Sequence, residues 1–538
     1  MAKPKIPNQK KKYQELNGRL NRYVALVEQI YDTLNLEAAK AVSRTKYSPD
    51  SDRPFKWSDY PQTKKQIDDI QKHFVEDINA TIYRGTTEEW KNSNEAQDLI
   101  ANKVLKAYNA QVDKEKYKIL YQTNSDALKA FQNRKDKGFN ISAKLWQQSM
   151  IYKEELEAAI SCAIQKGTSA VTLSKQISKY LLDFPLLQKD YKDRYGSAEH
   201  IQDCEYCSIR LARSEINMAY RTAENERWKQ MDFVVGYEIK LSSSHHSRMP
   251  HGDICDTLAG KYPKDFTWTG WHPNDLCYKV PILKTEEEFW EWDGRSDVST
   301  ESINEVKDVP DEFKKWVLEN HQKIEKAQKR NTLPYFLRDN KSIVQNINTE
   351  NSAKELVNRA SLVGNEVQSL AESIAKKNKG FVTPINYKSI SSITRKVTTE
   401  GITPYDIKDA VRTTIIVPRS QIDQVLNELS ESDSFVRLKR QKPESFMGYS
   451  GNIVNIQTSN GLIAEIQVNT ERMIYAKEKP EDAKRILGEK RWKEIQKQTG
   501  MEGGLGHKYY EEWRVLDKAD KKAQKIAEKS IEYYSHFQ

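Results

Sequence analysis

Residues 408–417 read Lys408-Asp409-Ala410-Val411-Arg412-Thr413-Thr414-Ile415-Ile416-Val417, and residues 462–468 read Leu462-Ile463-Ala464-Glu465-Ile466-Gln467-Val468. Both runs are β-branched and bounded by turn residues, so both predict strands. Each carries an acidic group: Asp409 at the mouth of the first, Glu465 inside the second. Side chains alternate along a strand, so Glu465 and Gln467 share one face while Ala464, Ile466 and Val468 share the other. Glu465 and Gln467 therefore point together, away from the apolar side, either to solvent or onto a site face. Further strands are expected at 435–439 and 453–457. Helices are expected at 353–377 and 420–429. Residues 351–538 therefore predict an α+β domain with a mostly antiparallel sheet.

Two carboxylates on neighbouring strands are a standard way to hold Mg²⁺, a hard cation that prefers oxygen ligands and binds beside phosphates. Basic residues surround them in sequence: Lys388, Arg395, Lys396, Arg412, Arg437, Lys439, Arg440 and Lys442. Arginine suits bidentate phosphate contact and lysine acts as a point charge. The turn Met447-Gly448-Tyr449-Ser450-Gly451 presents a tyrosine between glycines, which suits stacking on a nucleobase and equally suits covering a sheet edge. Taken singly, Asp409 also reads as a strand-start cap and Glu465 as a solvent-facing strand residue. Residues 351–538 hold 31 Lys+Arg against 25 Asp+Glu, while the rest of the chain holds 55 against 52. The C-terminal third, including the Lys-rich tail 518–529, is thus where a polyanion such as a nucleotide or RNA is expected.

The 538 residues allow several folding units, and the 52 aromatic residues exclude wholesale disorder. Residues 1–195 predict amphipathic helices, among them 13–35 and 154–164, punctuated by Asn35, Pro49 and Pro54. Residues 196–284 predict a small, loop-rich α/β module with a helix over 208–231 and strands at 233–241 and 278–283. Residues 285–350 are charged and weakly periodic and predict a helical linker. The absence of an apolar run near 18 residues argues against a membrane-spanning helix. The start MAKPKIPNQKKKYQ has no apolar stretch after its basic residues, so no secretory signal is expected.

Five cysteines in 538 residues make no disulfide framework. The middle module nonetheless concentrates thiols and imidazoles on loops, which can close a tetrahedral zinc site. Its thiols and imidazoles are Cys204, Cys207, His245, His246, His251, Cys255, His272 and Cys277, of which His251, Cys255, His272 and Cys277 are the candidate ligands. Buried free thiols and hydrogen-bonded loop histidines explain the same residues. Arg213-Ser214-Glu215 reads either as an active pair or as a buried ion pair that orders its helix, and the second fits better.

Two resemblances organise these motifs. Leu211-Ala-Arg-Ser-Glu-Ile-Asn-Met-Ala-Tyr220, Gly260-Lys-Tyr-Pro-Lys-Asp-Phe266, Gly270-Trp-His-Pro273 and Cys277 together resemble the Mu F-like phage head morphogenesis family of minor head proteins. That resemblance implies a virion or procapsid component that meets portal and capsid proteins. Gly252 and Asp275 stand where members of that family carry cysteines, so the zinc site depends on His251 or Asp275 filling in.

The C-terminal region resembles the nucleotide pyrophosphokinase domain of the RelA/SpoT family, especially its toxin-type synthetases. Lys388-Ser389-Ile390 with Arg395-Lys396 is similar to the segment that grips ATP phosphates. Asp409 and Glu465 match the Mg²⁺ residues, with Glu465 and Gln467 in the catalytic strand motif. Gly448-Tyr449 matches the turn whose tyrosine stacks on the acceptor base. Arg412 matches the strand arginine shifted two positions early, and Gly506-His507 with Tyr510 matches the following helix.

A stretch over 472–504 reads as an insertion in that pattern. The resemblance implies pyrophosphate transfer from ATP to a nucleotide or to the tRNA 3′ end, in the host bacterial cytoplasm, with an antitoxin as partner. The competing expectation is a purely structural capsid- or portal-associated protein whose C-terminal domain is inactive.

Overall fold

The computed structural model describes residues 4–45, 53–164, 169–291, 302–441, 446–517 and 520–538, so Pro49, Lys442 and Lys518 lie outside the described residues. The chain divides into two compact units, Met1–Val344 and Gln345–Gln538. No described helix is long and apolar enough to cross a membrane.

The first unit is built on long helices, chiefly Gln9–Ser43, Pro61–Ala107, Ile141–Ala163 and Cys204–Gln230. Tyr31, Leu34, Ala38 and Val42 recur at helical spacing on the first and are buried against Phe74, Ile78, Leu156 and Ala212. Asn35, expected to interrupt that helix, sits inside it and accepts from the buried Tyr152 hydroxyl at 3.0 Å. A buried polar side chain with a partner does not break a helix.

A small antiparallel sheet in the order β2-β1-β3 follows: β1 is Val234–Lys240, β2 is Gly260–Tyr262 and β3 is Tyr278–Leu283. Residues 302–340, within the stretch expected as a helical linker, form short helices whose aromatics pack on this module. Phe313 of helix Asp311–Glu319 is fully buried against Tyr262 and Phe266, and Phe336 meets Trp271 edge-on. Aromatics spaced too far apart to show a period still find one cluster.

The second unit holds a sheet in the order β4-β6-β9-β8-β7, with β5 also paired to β6. The strands are β4 Phe381–Val382, β5 Asn386–Tyr387, β6 Val411–Ile416, β7 Phe435–Arg440, β8 Asn452–Gln457 and β9 Ile463–Asn469. The expected mostly antiparallel sheet is a mixed one, because its central strands β6 and β9 run parallel. The continuous apolar run ending β6 is the signature of an interior strand of that kind. Val411, Ile415, Val454, Ile456, Ala464 and Ile466 form one buried face. The helices Lys341–Lys377 and Ile422–Ser430 supply Leu356, Val363, Val367, Val425 and Leu426 to the same core. The other face is polar.

Candidate active site

Register fixes which side chains meet on the polar face. One row crosses the sheet as Asn386 on β5, Arg412 on β6, Glu465 on β9, Asn455 on β8 and Arg437 on β7. Residues paired in register share a face, and the Arg437 guanidinium donates to Asn455 Oδ1 at 3.1 Å. Gln467 Nε2 donates to Glu465 Oε1 at 2.7 Å, and Lys477 Nζ donates to Gln467 Oε1 at 2.9 Å. The amide of Gln467 is thereby oriented from both ends.

Asp409 sits just before β6. Lys388 Nζ bonds one of its carboxylate oxygens, and Lys396 Nζ lies 3.5 Å from the other. Ser389 caps the helix Ile390–Glu400 by accepting from Ser392 N at 3.2 Å, and that helix carries Lys396 back to Asp409. Burial alone would raise the Asp409 carboxyl. The Lys388 ammonium, backed by Lys396 and Arg412, outweighs burial and holds it below the ordinary aspartate range. Arg395 is exposed and does not join this cluster. One helical residue is a turn of about 100°, enough to separate it from Lys396.

Arg412 is the hub. It pairs in register with Glu465, and its charge also favours the ionised forms of Asp409 and Glu478. Burial would raise the Glu478 carboxyl, but Lys477 at 3.0 Å, Arg412 and His507 together lower it. The His507 contribution comes from the helix Leu505–Arg514. Burial would lower the Lys477 ammonium, and the neighbouring Tyr449 and Glu478 raise it instead.

Arg412 thus stands in register with Glu465 while its charge bears on Asp409, and each carboxylate has its own polar partners. Among the described residues no group of three metal-ligating side chains forms here. A cleft of about 530 Å³ opens beside the row, lined by Asn386, Arg412, Thr414, Gln467, Lys477 and Glu478. A second, of about 590 Å³, shares Phe381 and is lined by Arg419, Ser450, Asn469 and Arg472. Both fall in the size range of small-molecule sites.

Tyr449, which reads equally as a stacking ring and as a cover for a sheet edge, is half-buried. Its hydroxyl meets Asn469, its ring packs on Tyr534 at 5.8 Å, and Lys477 Nζ lies 5.4 Å from the ring centre. A Cβ on Gly451 would fall 2.1 Å from the Tyr449 hydroxyl, so the ring folds back across that glycine.

Lys477 and Glu478 were not expected at all. They lie in the stretch read as an insertion, which forms the helices Glu471–Lys477, Pro480–Leu487 and Glu489–Thr499 around Tyr475 and Trp492. A Lys-Glu pair closing a short helix looks in sequence like a solvated end.

In the middle module the structure places Cys255 with Cys277 and His245, and separately with His272 and Asp253, but leaves His251 exposed on a turn. Asp275 does not substitute for it. Its oxygens accept from the backbone of Trp271 and Cys277, each at 2.8 Å, and so shape the loop. Glu215 pairs with Arg134 at 2.5 Å and Lys144 at 3.4 Å rather than with Arg213.

No protein-family model matches the chain. Over 170 residues, 31% of the chain, it is 38% identical to the (p)ppApp synthetase toxin Tas1 of Pseudomonas aeruginosa (strain UCBPP-PA14), and it spans 38% of that protein's length. Among solved structures it is similar to the type VI effector Tas1 in complex with its immunity protein, with 35% identity, 35% of this chain and 96% of that chain covered, and a TM-score of 0.33. It is also similar to the small alarmone synthetase 1 from Bacillus subtilis, with 18% identity, 34% and 92% covered, and a TM-score of 0.23.

Proposed function

We propose that the second unit is an ATP-dependent pyrophosphokinase acting as a toxin, and that its acceptor is an adenine nucleotide. The observation that carries the reading is the polar sheet face, where Arg412 gathers Asp409, Glu465 and Glu478 beside Lys388, Lys396 and Lys477. The likeness to a (p)ppApp synthetase toxin supports the reaction and favours adenine over guanine nucleotides or tRNA as acceptor.

In the proposed reaction an acceptor ribose hydroxyl attacks the β-phosphorus of ATP. The new O–P bond forms as the bond from that phosphorus to the α,β-bridging oxygen breaks, AMP leaves, and the hydroxyl proton passes to a base. Glu465, oriented by Gln467, is that base. Lys388, Lys396 and Arg412 bind the triphosphate, with Lys388 and Lys396 exchanging Asp409 for phosphate oxygens. His507, beside Glu478, steadies the departing α-phosphate side. Tyr449 sets the wall of the acceptor cleft through Asn469 and not as a displayed stacking ring.

The donor set fits Mg²⁺, which takes one or two carboxylates and completes its shell with phosphate oxygens and water. Asp409 and Glu465 would hold it, and it would neutralise charge on the transferring group. A dedicated immunity protein is the proposed antidote, since the Tas1 effector forms such a complex. The first unit is proposed to carry the toxin as a minor head protein of the virion or procapsid, delivering it to the host bacterial cytoplasm.

Expression in bacteria tests the toxin reading. The intact chain should arrest growth and drain cellular ATP, while Asp409→Asn and Glu465→Gln should do neither. Arrest that persists in both variants overturns it.

A further inference from the structure

Asn469 ends β9 on the polar face, and the mechanism above gives its amide no work beyond holding Tyr449. In register it stands beside Ile416, and Ile416 stands beside Phe381. Gly451 leaves it room, since a Cβ there would fall 2.7 Å from Asn469 Oδ1. The side chain lines the cleft of about 590 Å³, whose walls also include Phe381, Ile416, Met473 and Phe537. One polar edge among apolar walls suits a flat heteroaromatic ring.

The amide is under-used where it stands. Asn469 is 2% exposed, and among the described residues its amide meets only the Tyr449 hydroxyl, at 3.1 Å from Oδ1 and 3.0 Å from Nδ2. A primary amide offers two N–H donors and an oxygen with two lone pairs. One hydroxyl set between that oxygen and that nitrogen aligns well with at most one of them. The edge it straddles carries an acceptor and a donor side by side. Adenine presents the complement, an N6–H beside the N7 lone pair, and an asparagine amide meets both at once. Guanine presents O6 beside N7, two acceptors, which sets an oxygen against the amide oxygen.

We propose that Asn469 selects adenine over guanine in the acceptor, its amide taking the N6–N7 edge in place of the Tyr449 hydroxyl. The inference rests on the pyrophosphokinase reading of the second unit and adds to it a residue that reads the base. Position along the strand agrees with the role. Asn469 lies four residues beyond Glu465 on the same face, which is about 13 Å of strand. Removing a hydrogen bond of about 2.9 Å at each end leaves roughly 7 Å, a distance that a nucleoside spans from its base edge to its ribose hydroxyls. The base can therefore sit at Asn469 while the attacking hydroxyl meets Glu465. Tyr449 stays as the wall beside the base.

The test changes the acceptor before it changes the protein. The full chain with ATP and Mg²⁺ is offered ADP, 7-deaza-ADP or GDP, and the products are resolved by mass. Replacing N7 by carbon removes one of the two bonds, so kcat/KM for the acceptor should fall about tenfold from ADP to 7-deaza-ADP. Asn469→Ala should use the two alike and should lose a similar factor of its preference for ADP over GDP. If that variant fails to fold, the analogue series on the unaltered chain still decides. A residue that only braced Tyr449 would slow every acceptor together and leave the ADP to 7-deaza-ADP ratio of the variant unchanged, which overturns the proposal. Equal use of ADP and 7-deaza-ADP by the intact chain also overturns it, while the transfer reaction stands. No transfer to any acceptor instead overturns the underlying reading, and this role with it.

Discussion

Asp409 is a largely buried carboxylate with an ammonium group at each oxygen. Its folded-state pKa is depressed, so the stability it contributes is present above the ordinary aspartate value of about 3.9 and disappears as pH falls through the lowered folded value. Asp409→Asn should therefore flatten the acid limb of a denaturation profile while changing little at pH 7 beyond the lost ion pairs. The same change should lower pyrophosphate transfer by about a hundredfold or more, because it removes a charge meant for the metal. Glu465→Gln keeps the hydrogen bond to Gln467 within reach but cannot take a proton, and should cost roughly 10²–10⁴ in turnover with ATP binding intact. Steady-state rates and ATP titrations separate the two. Asp409, Glu465, Gln467 and Arg412 were legible because period-two alternation and motif order place them. Lys477 and Glu478 were not, because their charges come to the site by the packing of a short helix that sequence periodicity does not locate.

At the scale of elements, the C-terminal helix Lys521–Ser535 is tied to the turn that holds Tyr449. Ser530 Oγ donates to the Met447 carbonyl at 2.8 Å, and Tyr534 packs on Tyr449. Gly448 has φ +81, and a Cβ there would lie 2.7 Å from Ile531 Cα, a backbone atom that cannot step aside cheaply. Gly448→Ala should destabilise the second unit by about 1–3 kcal/mol for the left-handed backbone alone, with more from the clash, read as a lowered denaturation midpoint. Tyr534→Ala should cost about 3–5 kcal/mol as a buried aromatic truncation. Sequence placed the main strands β6 to β9 to within a few residues but not β4 and β5, which are two residues each and flank a proline. The parallel pairing of β6 and β9 escaped it too, because pairing direction depends on crossovers and not on composition.

For the whole molecule, the boundary between the units falls inside the helix Lys341–Lys377, and each unit has its own apolar core. The second unit should accordingly fold when produced from residue 341 onward, keeping its helix intact, and should retain pyrophosphate transfer. Circular dichroism and the transfer rate check this. The packed stretch 302–340 belongs with the first unit, which is why a cut at 285 should damage that unit rather than free a linker.

The central claim is tested most directly by product stoichiometry. The intact chain, ATP, Mg²⁺ and AMP, ADP, GDP, GTP or tRNA are combined, and the products are resolved by mass. The account predicts an adenine nucleotide that gains pyrophosphate as ATP becomes AMP, one for one, and no product with Asp409→Asn. Plain ATP hydrolysis, no acceptor product, or transfer that survives that substitution would contradict it.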